Sequence, residues 1–383
     1  MLILPNMRKV LVGLLLVVGS VALTVPQPAW AQVQAIVDIE GRRVDINLPV
    51  RRVLLGEGRL LHLVAAVVGE NPLDHVAAWR DDLIEADPAS YRQYLEVFPD
   101  LENLPRFSGQ EDSLLDPESA IALDADAVLL NVDARPAMED AGLEEKLAAV
   151  GIPLLYIDFR HDPARNTEPT IRLLGRLFDQ EKRAAEIVAF RKREIDRVTK
   201  TVDAHDPERP RVFIERVGGY TDDCCLSFGD GNFGKFVELA GGENIAKSAI
   251  PSTFGQVNPE LVIAADPAHV VVTSAEWEAY VPGGRWIPLG PDADINKARN
   301  KLEWYLTRPA YTGTRAGRER KFHGIWHQFY NSPFDFIAIQ RLAKWFHPTL
   351  FTDLDPDETF RNFHDRFLPV SYRSGYWVSL VDE

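Results

Sequence analysis

The chain contains an internal repeat that limits it to a small set of folds. The segment DPESAIALDADAVLLN at 116–131 matches NPELVIAADPAHVVVT at 258–273. Earlier in each half, LHLVAAVVGEN at 61–71 matches GKFVELAGGEN at 234–244. Two matches in the same order indicate two lobes of like topology.

Each copy of the longer repeat predicts the start of a helix, an acidic break and then a buried strand. Asp116 and Asn258 are suited to the N-cap position of the helix. Pro117 and Pro259 follow in the first turn, where proline is tolerated because the N–H it lacks would have no helical partner.

Short apolar stretches alternate with helical ones elsewhere, as in parallel sheets covered by helices. The predicted strands are 53–55, 76–79, 127–131, 154–158, 212–215, 270–273 and 287–289. Between the two sets, 181–204 lacks glycine and proline and has apolar residues near helical spacing, which predicts one long helix. A shorter helix, with Thr167 as its N-cap, is predicted to precede it and to end near Phe178.

The predicted fold class is therefore α/β, with two Rossmann-like lobes of parallel sheets joined by a long rigid helix. We expect the lobes at 32–165 and 205–383 and the helical bridge at 166–204. Open α/β sheets bind ligands at the carboxyl ends of their strands. A ligand cleft between the lobes follows from this arrangement.

The first 31 residues have the pattern of a secretory signal peptide. Arg8 and Lys9 precede an apolar run at 10–24, and the sequence Ala-Trp-Ala at 29–31 fits a cleavage site. The run is shorter than the roughly 20 residues of a membrane-spanning helix. We therefore expect cleavage before Gln32 and a soluble protein in a Gram-negative periplasm.

Composition excludes several classes of protein. A chain with 46% hydrophobic residues is not disordered, and a net charge of −15 argues against a general nucleic-acid binder. Two adjacent cysteines, Cys224 and Cys225, exclude a disulfide framework and a four-cysteine zinc module. In an oxidising compartment they favour a vicinal disulfide, with free thiols or soft metal ligands as alternatives.

Four sequence features stand in a characteristic order: VDIEGRRV at 37–44, RVLL at 52–55, the two Pro-Glu segments of the repeat, and FVELAGGENI at 236–245 after a glycine-rich turn. In these four features the chain resembles the class III periplasmic solute-binding proteins of ABC importers, which take up ferric siderophores, haem or cobalamin. The resemblance covers nearly all of the chain after residue 31 and implies a binding protein rather than an enzyme.

The resemblance also implies a partner, the inner-membrane ABC permease with its cytoplasmic ATPase. A glutamate on each lobe docks on the permease in that family, and the matching positions are Glu118 and Glu260. Alternatively, both are ordinary first-turn glutamates favoured by the helix dipole; Glu238 and Glu243 are the substitutes for Glu260. We expect a monomer with no intrinsic cofactor.

The predicted ligand-binding residues are aromatic and arginine side chains in loops after the predicted strands: Arg59, Trp79, Arg80, Arg216, Tyr220, Phe254, Trp277, Trp326 and Tyr330. Ser108 and Gln110, in a further loop of the first lobe, are additional polar contributors. Such side chains suit a bulky, partly flat, anionic ligand through stacking and charge-assisted hydrogen bonds. A ferric siderophore, a small-molecule iron chelate, is the leading ligand. Haem, for which Tyr220 or His327 is the candidate axial ligand, cobalamin and a bare metal ion are alternatives.

Motifs typical of catalysis are incomplete. GDGNFGKF at 229–236 matches the G-x-G-x-x-G pattern but lacks the final Ser or Thr of a phosphate loop, so it predicts a glycine-rich entry into a helix. His323 and His327 stand four apart and are weak candidates for one metal ion on a helix. The competing interpretation is an exported metal-dependent hydrolase that uses these histidines.

Overall fold

Short apolar strands are assembled into two five-stranded sheets, one in each half of the chain. The computed structural model describes residues 32–107, 117–221 and 224–381. The strands are β1 (Gln32–Val37), β2 (Arg43–Leu48), β3 (Val53–Leu55), β4 (Val76–Arg80), β5 (Arg106–Phe107), β6 (Ala127–Asn131), β7 (Leu154–Ile157), β8 (Arg211–Glu215), β9 (Leu226–Phe228), β10 (Glu243–Asn244), β11 (Phe254–Gln256), β12 (His269–Ser274), β13 (Phe322–Trp326) and β14 (Trp377–Ser379).

Helices connect these strands. They are α1 (Leu61–Val68), α2 (Asp82–Ala86), α3 (Pro88–Val97), α4 (Pro117–Ala122), α5 (Arg135–Asp140), α6 (Leu143–Ala149), α7 (Pro163–Leu177), α8 (Glu181–His205), α9 (Phe233–Leu239), α10 (Pro259–Ala265), α11 (Ile295–Glu303), α12 (Pro309–Thr312), α13 (Arg315–Glu319), α14 (Asp335–Phe346) and α15 (Pro356–Phe367). One of the 3-10 turns, His327–Asn331, directly follows β13.

The order of the strands creates a crevice in each sheet. The first sheet has the order β5-β4-β3-β6-β7 and is parallel throughout. The second has the order β10-β8-β12-β13-β14, in which β14 alone of these strands is antiparallel. The chain turns from one side of β3 to the other at β6, and from one side of β8 to the other at β12. Such reversals open a crevice at the carboxyl ends of the strands.

The internal repeat extends to the backbone hydrogen bonds. The N–H of Asp126 donates to the carbonyl of Arg52 over 2.8 Å, and the N–H of Ala268, 142 residues later, donates to that of Arg211 over the same distance. The predicted acidic breaks are Asp124 and Asp266, which adopt left-handed backbone with φ of 53° and 44°. The two lobes therefore share one topology, as predicted.

Most of the predicted strands are present, and two regions of the second sheet differ. Residues 287–289 are buried but irregular, because Pro288 lacks a donor and the N–H of Ile287 donates to the hydroxyl of Ser274 instead of a neighbouring strand. The strand β13 was not predicted, because a buried histidine and a glycine interrupt its apolar pattern. It occupies the place in the sheet next to β12.

The long helix predicted at 181–204 is confirmed as α8, and α7 packs along it. The helix pair spans 163–205, compared with 166–204 predicted for the bridge. The predicted cap of α7 was wrong: Asp162 is the N-cap and accepts from the N–H of Arg165 over 3.3 Å, whereas Thr167 lies inside the helix and is buried. The acid five residues earlier was the better cap, because Pro163 follows it directly.

The predicted signal peptide, 1–31, lies outside the described residues. Among those the structure describes, none of the helices combines the length and the apolar character that crossing a bilayer requires.

A buried ion pair joins the bridge to the second lobe. On α8, Arg191 donates through Nε to Oδ1 of Asp335 over 2.8 Å, and its Nη2 donates to the second carboxylate oxygen. The same guanidinium also donates to the carbonyl of Pro163, where α7 begins, over 3.2 Å. The two side chains are only 7% and 0% exposed, so the starts of α7 and α14 are both held against the middle of α8.

We expect the substitution Arg191→Met to lower the free energy of unfolding by about 3–5 kcal/mol, because it leaves the carboxylate of Asp335 buried without its cation. Urea denaturation followed by circular dichroism measures this loss. Lys192→Met on the same helix is the matched control, since the Lys192–Asp196 pair is solvent-exposed and such pairs contribute at most about 1 kcal/mol. Equal effects of the two substitutions would contradict the structural role of Arg191.

Candidate functional site

A buried carboxylate lies where the two lobes meet. Glu57 follows β3, at the crevice of the first sheet, and is 2% exposed. Its two oxygens accept hydrogen bonds from four side chains: Asn131 (2.7 Å), Arg160 (3.0 Å), Asn331 (3.0 Å) and Arg59 (3.4 Å). Asn331 belongs to the second lobe, so this cluster connects the lobes.

The electrostatics of Glu57 follow from these contacts. Burial alone would raise the pKa of this carboxyl, but Arg160, Arg59 and the two asparagines lower it to about 2. Glu57 is therefore ionised at neutral pH, and it compensates part of the positive charge of the two arginines.

Arg59 makes a second connection between the lobes. Its Nε donates to Oδ2 of Asp82 over 2.6 Å, and its Nη1 donates to Oε1 of Gln328 in the second lobe over 3.0 Å. The amide of Gln328 in turn donates to the carbonyl of Ala86 over 3.0 Å. Burial raises the pKa of Asp82, as does the nearby Glu57, whereas Arg59 opposes this shift.

The loop after β7 positions Arg160. The carboxylate of Asp158 accepts from the backbone N–H groups of Arg160 (2.9 Å), His161 (2.7 Å) and Asp162 (3.0 Å), which fixes a tight turn at the end of the strand. At this turn the carbonyl of Arg160 accepts from the amide of Asn232 over 2.5 Å. Asn232 is the N-cap of α9 in the second lobe, so this turn also joins the lobes.

The glycine-rich segment at 229–236 leads into α9, as predicted. The side chain of Asn232 accepts from the N–H of Phe233 over 2.7 Å and so caps the helix.

Arg216 follows β8, at the crevice of the second sheet. Its guanidinium lies 4.1 Å from the centre of the Phe254 ring, a cation–π contact. No carboxylate among the described residues lies within ion-pair distance of it, and burial lowers the pKa of Arg216. It contributes a partly buried cation that is not compensated by a described acid.

One phenol lies near all three arginines. Tyr330, in the turn after β13, is 6% exposed, and its proximity raises the pKa of Arg59, Arg160 and Arg216, against the effect of burial. Its ring lies 4.6 Å from that of His327. Burial, together with the same three arginines, keeps the pKa of His327 well below its usual value, so this imidazole is neutral.

An aromatic wall continues from this point along the second lobe. The ring of Trp277 lies 5.5 Å from His327 and 5.8 Å from Tyr220, and Tyr220 lies 5.9 Å from Tyr280. Tyr220 and Tyr280 are 41% and 38% exposed. Burial, together with the nearby Glu85 and Asp82 of the first lobe, raises the pKa of Tyr280. Trp277 and Tyr280 belong to the long connection 275–321 between β12 and β13.

Six of the predicted ligand-binding residues are thus near each other at the carboxyl ends of the strands: Arg59, Arg216, Tyr220, Phe254, Trp277 and Tyr330. Arg80 is half-buried at the end of β4. The predicted contributors Ser108 and Gln110 lie outside the described residues. Contact of any of these side chains with a ligand stays a prediction.

Two predicted tryptophans do not reach the cleft. Trp79 is 1% exposed and stacks on Tyr91 with ring centres 6.0 Å apart. Trp326 is also 1% exposed and packs edge-on against Phe329 at 5.2 Å and Tyr376 at 5.1 Å. Both rings point from their strands into the core, because successive side chains of a strand face opposite sides of the sheet.

The weak metal-site candidates His323 and His327 do not share a helix. His323 lies within β13 and His327 just beyond its end, so they are roughly 13 Å apart along extended backbone instead of one helical turn. His323 bonds to His269 and to Ser379, each over 3.0 Å. The described residues contain no group of three or more His, Cys, Asp or Glu placed to hold a metal ion.

In the structure Cys224 and Cys225 are joined as a vicinal disulfide. The pair directly precedes β9 and is bonded to the end of β11. The carbonyl of Cys224 accepts from the side chain of Gln256, and the carbonyl of Cys225 accepts from the N–H of Val257, each over 3.0 Å. The sulfur of Cys224 lies 3.8 Å from the hydroxyl of Tyr311.

Glu118 and Glu260 are both exposed, in the first turns of α4 and α10. Asn258 accepts from the N–H of Glu260 over 2.9 Å, as its predicted role of N-cap requires. Its counterpart Asp116 lies outside the described residues. Each helix precedes a parallel strand and runs antiparallel to it, so each glutamate lies at the same edge of its sheet as the cleft.

Sequence reasoning missed several groups of the site, notably Glu57, Asn131, Arg160, Asn331 and Tyr280. Glu57 and Arg160 each had a signal, because they follow predicted strands by two or three residues. Asn131 and Asn331 had no such signal, because their common partner, Glu57, is 74 residues from one and 274 residues from the other.

We expect Glu57→Gln to remove a stabilisation that depends on pH. The pKa of Glu57 is lower in the folded chain than in the unfolded one, so its charge stabilises the native state fully above about pH 4.5, and this is lost as the pH falls towards 2. The difference in unfolding free energy between wild type and Glu57→Gln should decrease by about 3 kcal/mol over that range. Urea denaturation at pH 6, 4 and 3 measures it, with the exposed Glu186→Gln as control. A difference that does not change with pH would contradict this electrostatic role.

Comparison with known proteins shows which family has this architecture. The sequence profile of the periplasmic binding proteins matches residues 102–325, more than half of the chain. No curated protein matches it significantly. The solved structure of the TroA-like periplasmic binding protein FepB from Veillonella parvula is 26% identical, with a TM-score of 0.81 over 91% of this chain and 100% of that one.

Two further solved structures share the fold at lower identity. CeuE of Helicobacter pylori, in a nickel–histidine complex, is 15% identical, with a TM-score of 0.65 over 88% of this chain and 96% of that one. A periplasmic haem-binding protein from Pseudomonas aeruginosa is 17% identical, with a TM-score of 0.55 over 78% and 94%. The chain therefore belongs to the periplasmic binding protein family, the solute-binding components of ABC transporters.

Proposed function

We propose that the chain captures a ferric siderophore between its lobes in the periplasm and delivers it to an inner-membrane permease, without catalysing a reaction. The observation that carries this proposal is the pairing of Arg59 and Arg160 with the buried Glu57 where the lobes meet, together with the cation Arg216 over the Phe254 ring in the second lobe. Side chains from both lobes take part, so a ligand placed there contacts both.

The balance of charge favours an anionic ligand. Arg59 and Arg160 face the carboxylates of Glu57 and Asp82, whereas Arg216 has no described carboxylate partner. Arg160 also faces Asp133, over 3.6 Å between Nε and Oδ2, so among these three arginines the cation without a described acid partner is Arg216, in a chain whose total charge is −15. A partly desolvated cation attracts an anion more strongly than an exposed one does.

The aromatic wall favours a ligand with flat or aryl groups. Tyr220, Tyr280 and Phe254 expose about two fifths of their surface, and Trp277 is buried beside them. Offset and edge-on contacts with such rings add affinity without charge. An anionic chelate that carries aromatic rings, such as an aryl siderophore bound to iron, matches both halves of this surface.

Haem is the second candidate. It combines a large flat ring with two carboxylates, and the solved relatives include haem-binding proteins from Pseudomonas aeruginosa and Roseiflexus. The exposed phenol of Tyr220 is the available axial ligand. His327 is less suitable, because it is 4% exposed and its Nδ1 bonds to the hydroxyl of Thr273 over 2.9 Å.

The first test is a titration of tryptophan fluorescence with ferric siderophores of catecholate and hydroxamate type, haem and cobalamin. Trp277 borders the cleft, so we expect saturable quenching by anionic aryl siderophores. Saturation by haem alone would replace the siderophore with haem. Flat titrations with the whole panel would overturn the proposal, and substrate turnover abolished by His323→Ala would support the hydrolase instead.

We expect Arg216→Gln to weaken binding of the best ligand roughly 10- to 100-fold, because it removes a charge-assisted hydrogen-bond donor. Arg172→Gln is the matched control, since Arg172 is exposed on α7 and pairs with Glu168. The same fluorescence titration, repeated at 50 and 500 mM salt, measures the Kd of both variants. An unchanged Kd for Arg216→Gln would exclude Arg216 from the site.

A further inference from the structure

The two arginines of the first lobe are already paired with acids of the same lobe. Arg59 donates through Nε to Asp82 over 2.6 Å and through Nη2 to Glu57 over 3.4 Å. Arg160 donates through Nη1 to Glu57 over 3.0 Å, and its Nε lies 3.6 Å from Oδ2 of Asp133. Two guanidiniums therefore face three carboxylates, so this group of side chains has no excess of positive charge.

The shared acid, Glu57, is held in place from both lobes. The amides of Asn131 in the first lobe (2.7 Å) and Asn331 in the second (3.0 Å) donate to it beside the two arginines. Its side chain is only 3% exposed. The carboxylate cannot leave this position without the loss of bonds to both lobes, so its negative charge stays at the lobe junction when an anion approaches.

Arg216 differs from the paired arginines. It makes no ion pair with a described residue, and its guanidinium lies 4.1 Å from the centre of the Phe254 ring. The hydroxyl of Thr253, beside Phe254 in the chain, bonds to Nδ1 of His161 over 3.1 Å. Because His161 directly follows Arg160, Arg216 lies just across the lobe junction from the paired group.

We propose that Glu57 limits the charge of the ligand: the site takes a ferric chelate with a single negative charge, held by Arg216, and discriminates against a triply negative one. This rests on the proposed function, since it takes an iron chelate as the ligand. One unpaired cation compensates one negative charge, and any further charge on the chelate meets the fixed carboxylate. Such repulsion is strong between buried groups, because the effective dielectric constant around them is far below that of water.

Iron chelates that differ in their donor groups measure the effect of charge. A catecholate group brings two negative charges to Fe(III), and a hydroxamate group brings one. Hexadentate ligands with none, one, two or three catecholates, and hydroxamates in the remaining places, therefore give complexes that are neutral, singly, doubly and triply negative. In the fluorescence titration we expect wild type to bind the singly negative complex most tightly, at least tenfold more tightly than the triply negative one.

The substitution Glu57→Gln tests the role of the carboxylate. It keeps the size of the side chain and removes its charge, so we expect the ratio of the two Kd values, triply negative over singly negative, to fall at least fivefold. Glu186→Gln is the matched control, because it makes the same change of total charge at an exposed position of α8 and should leave the ratio as in wild type. Titrations at 50 and 500 mM salt identify any contribution from the total charge, since salt screens exposed charges more than buried ones.

A second variant leaves the bonds of Glu57 intact. The side chain of Asp133 is 36% exposed and lies 3.6 Å from Arg160 and 3.5 Å from His161. Asp133→Asn removes one of the three carboxylates at this more exposed position, so we expect the same ratio to fall by about two- to threefold. Circular dichroism checks that each variant is folded.

The outcomes distinguish this inference from the proposed function. Tightest binding of the triply negative complex by wild type, or an unchanged ratio in folded Glu57→Gln, would overturn the charge limit and leave the capture of an iron chelate standing. If Glu57→Gln does not fold, an unchanged ratio in Asp133→Asn overturns the charge limit instead. Flat titrations with all four complexes would overturn both the charge limit and the proposed function.

Discussion

The structure depends on the burial of one charge, the carboxylate of Glu57. A buried carboxylate is costly unless cations and donors surround it, and here two arginines and two asparagines do so. One of these donors, Asn331, comes from the second lobe. The requirement to satisfy this charge therefore sets the distance between the lobes and also directs Arg59 and Arg160 towards the cleft.

The positions of the arginines follow from strand topology. Each follows a strand of a parallel sheet, at the edge where the order of strands reverses or beside it. The ion pair of Arg191 with Asp335 holds the bridge against the start of α14, which leads directly from the turn that contains Tyr330. Rigid helix packing thus stabilises the turn that carries Tyr330.

The fold was largely predictable because its signals are local. The repeat, the buried strands β3 and β6, and the uninterrupted pattern of α8 each lie within a short window. The site was predictable only in part: position after a strand identified Arg59, Arg216 and Tyr330, but one sequence does not show which face of a strand Trp79 occupies. The partners of Glu57 are distant in the chain, so their convergence exists only in the folded structure.

The two lobes differ in the length of the connection that follows the repeat strand, β6 in the first lobe and β12 in the second. The segment 275–321 is about twice as long as its counterpart 132–153, and it contributes Trp277 and Tyr280 to the cleft. Despite this difference, the two lobes make equivalent backbone hydrogen bonds, from Asp126 to Arg52 and from Ala268 to Arg211. The scaffold of a lobe therefore tolerates a twofold change in the length of this connection without loss of the backbone hydrogen bonds that anchor its strands.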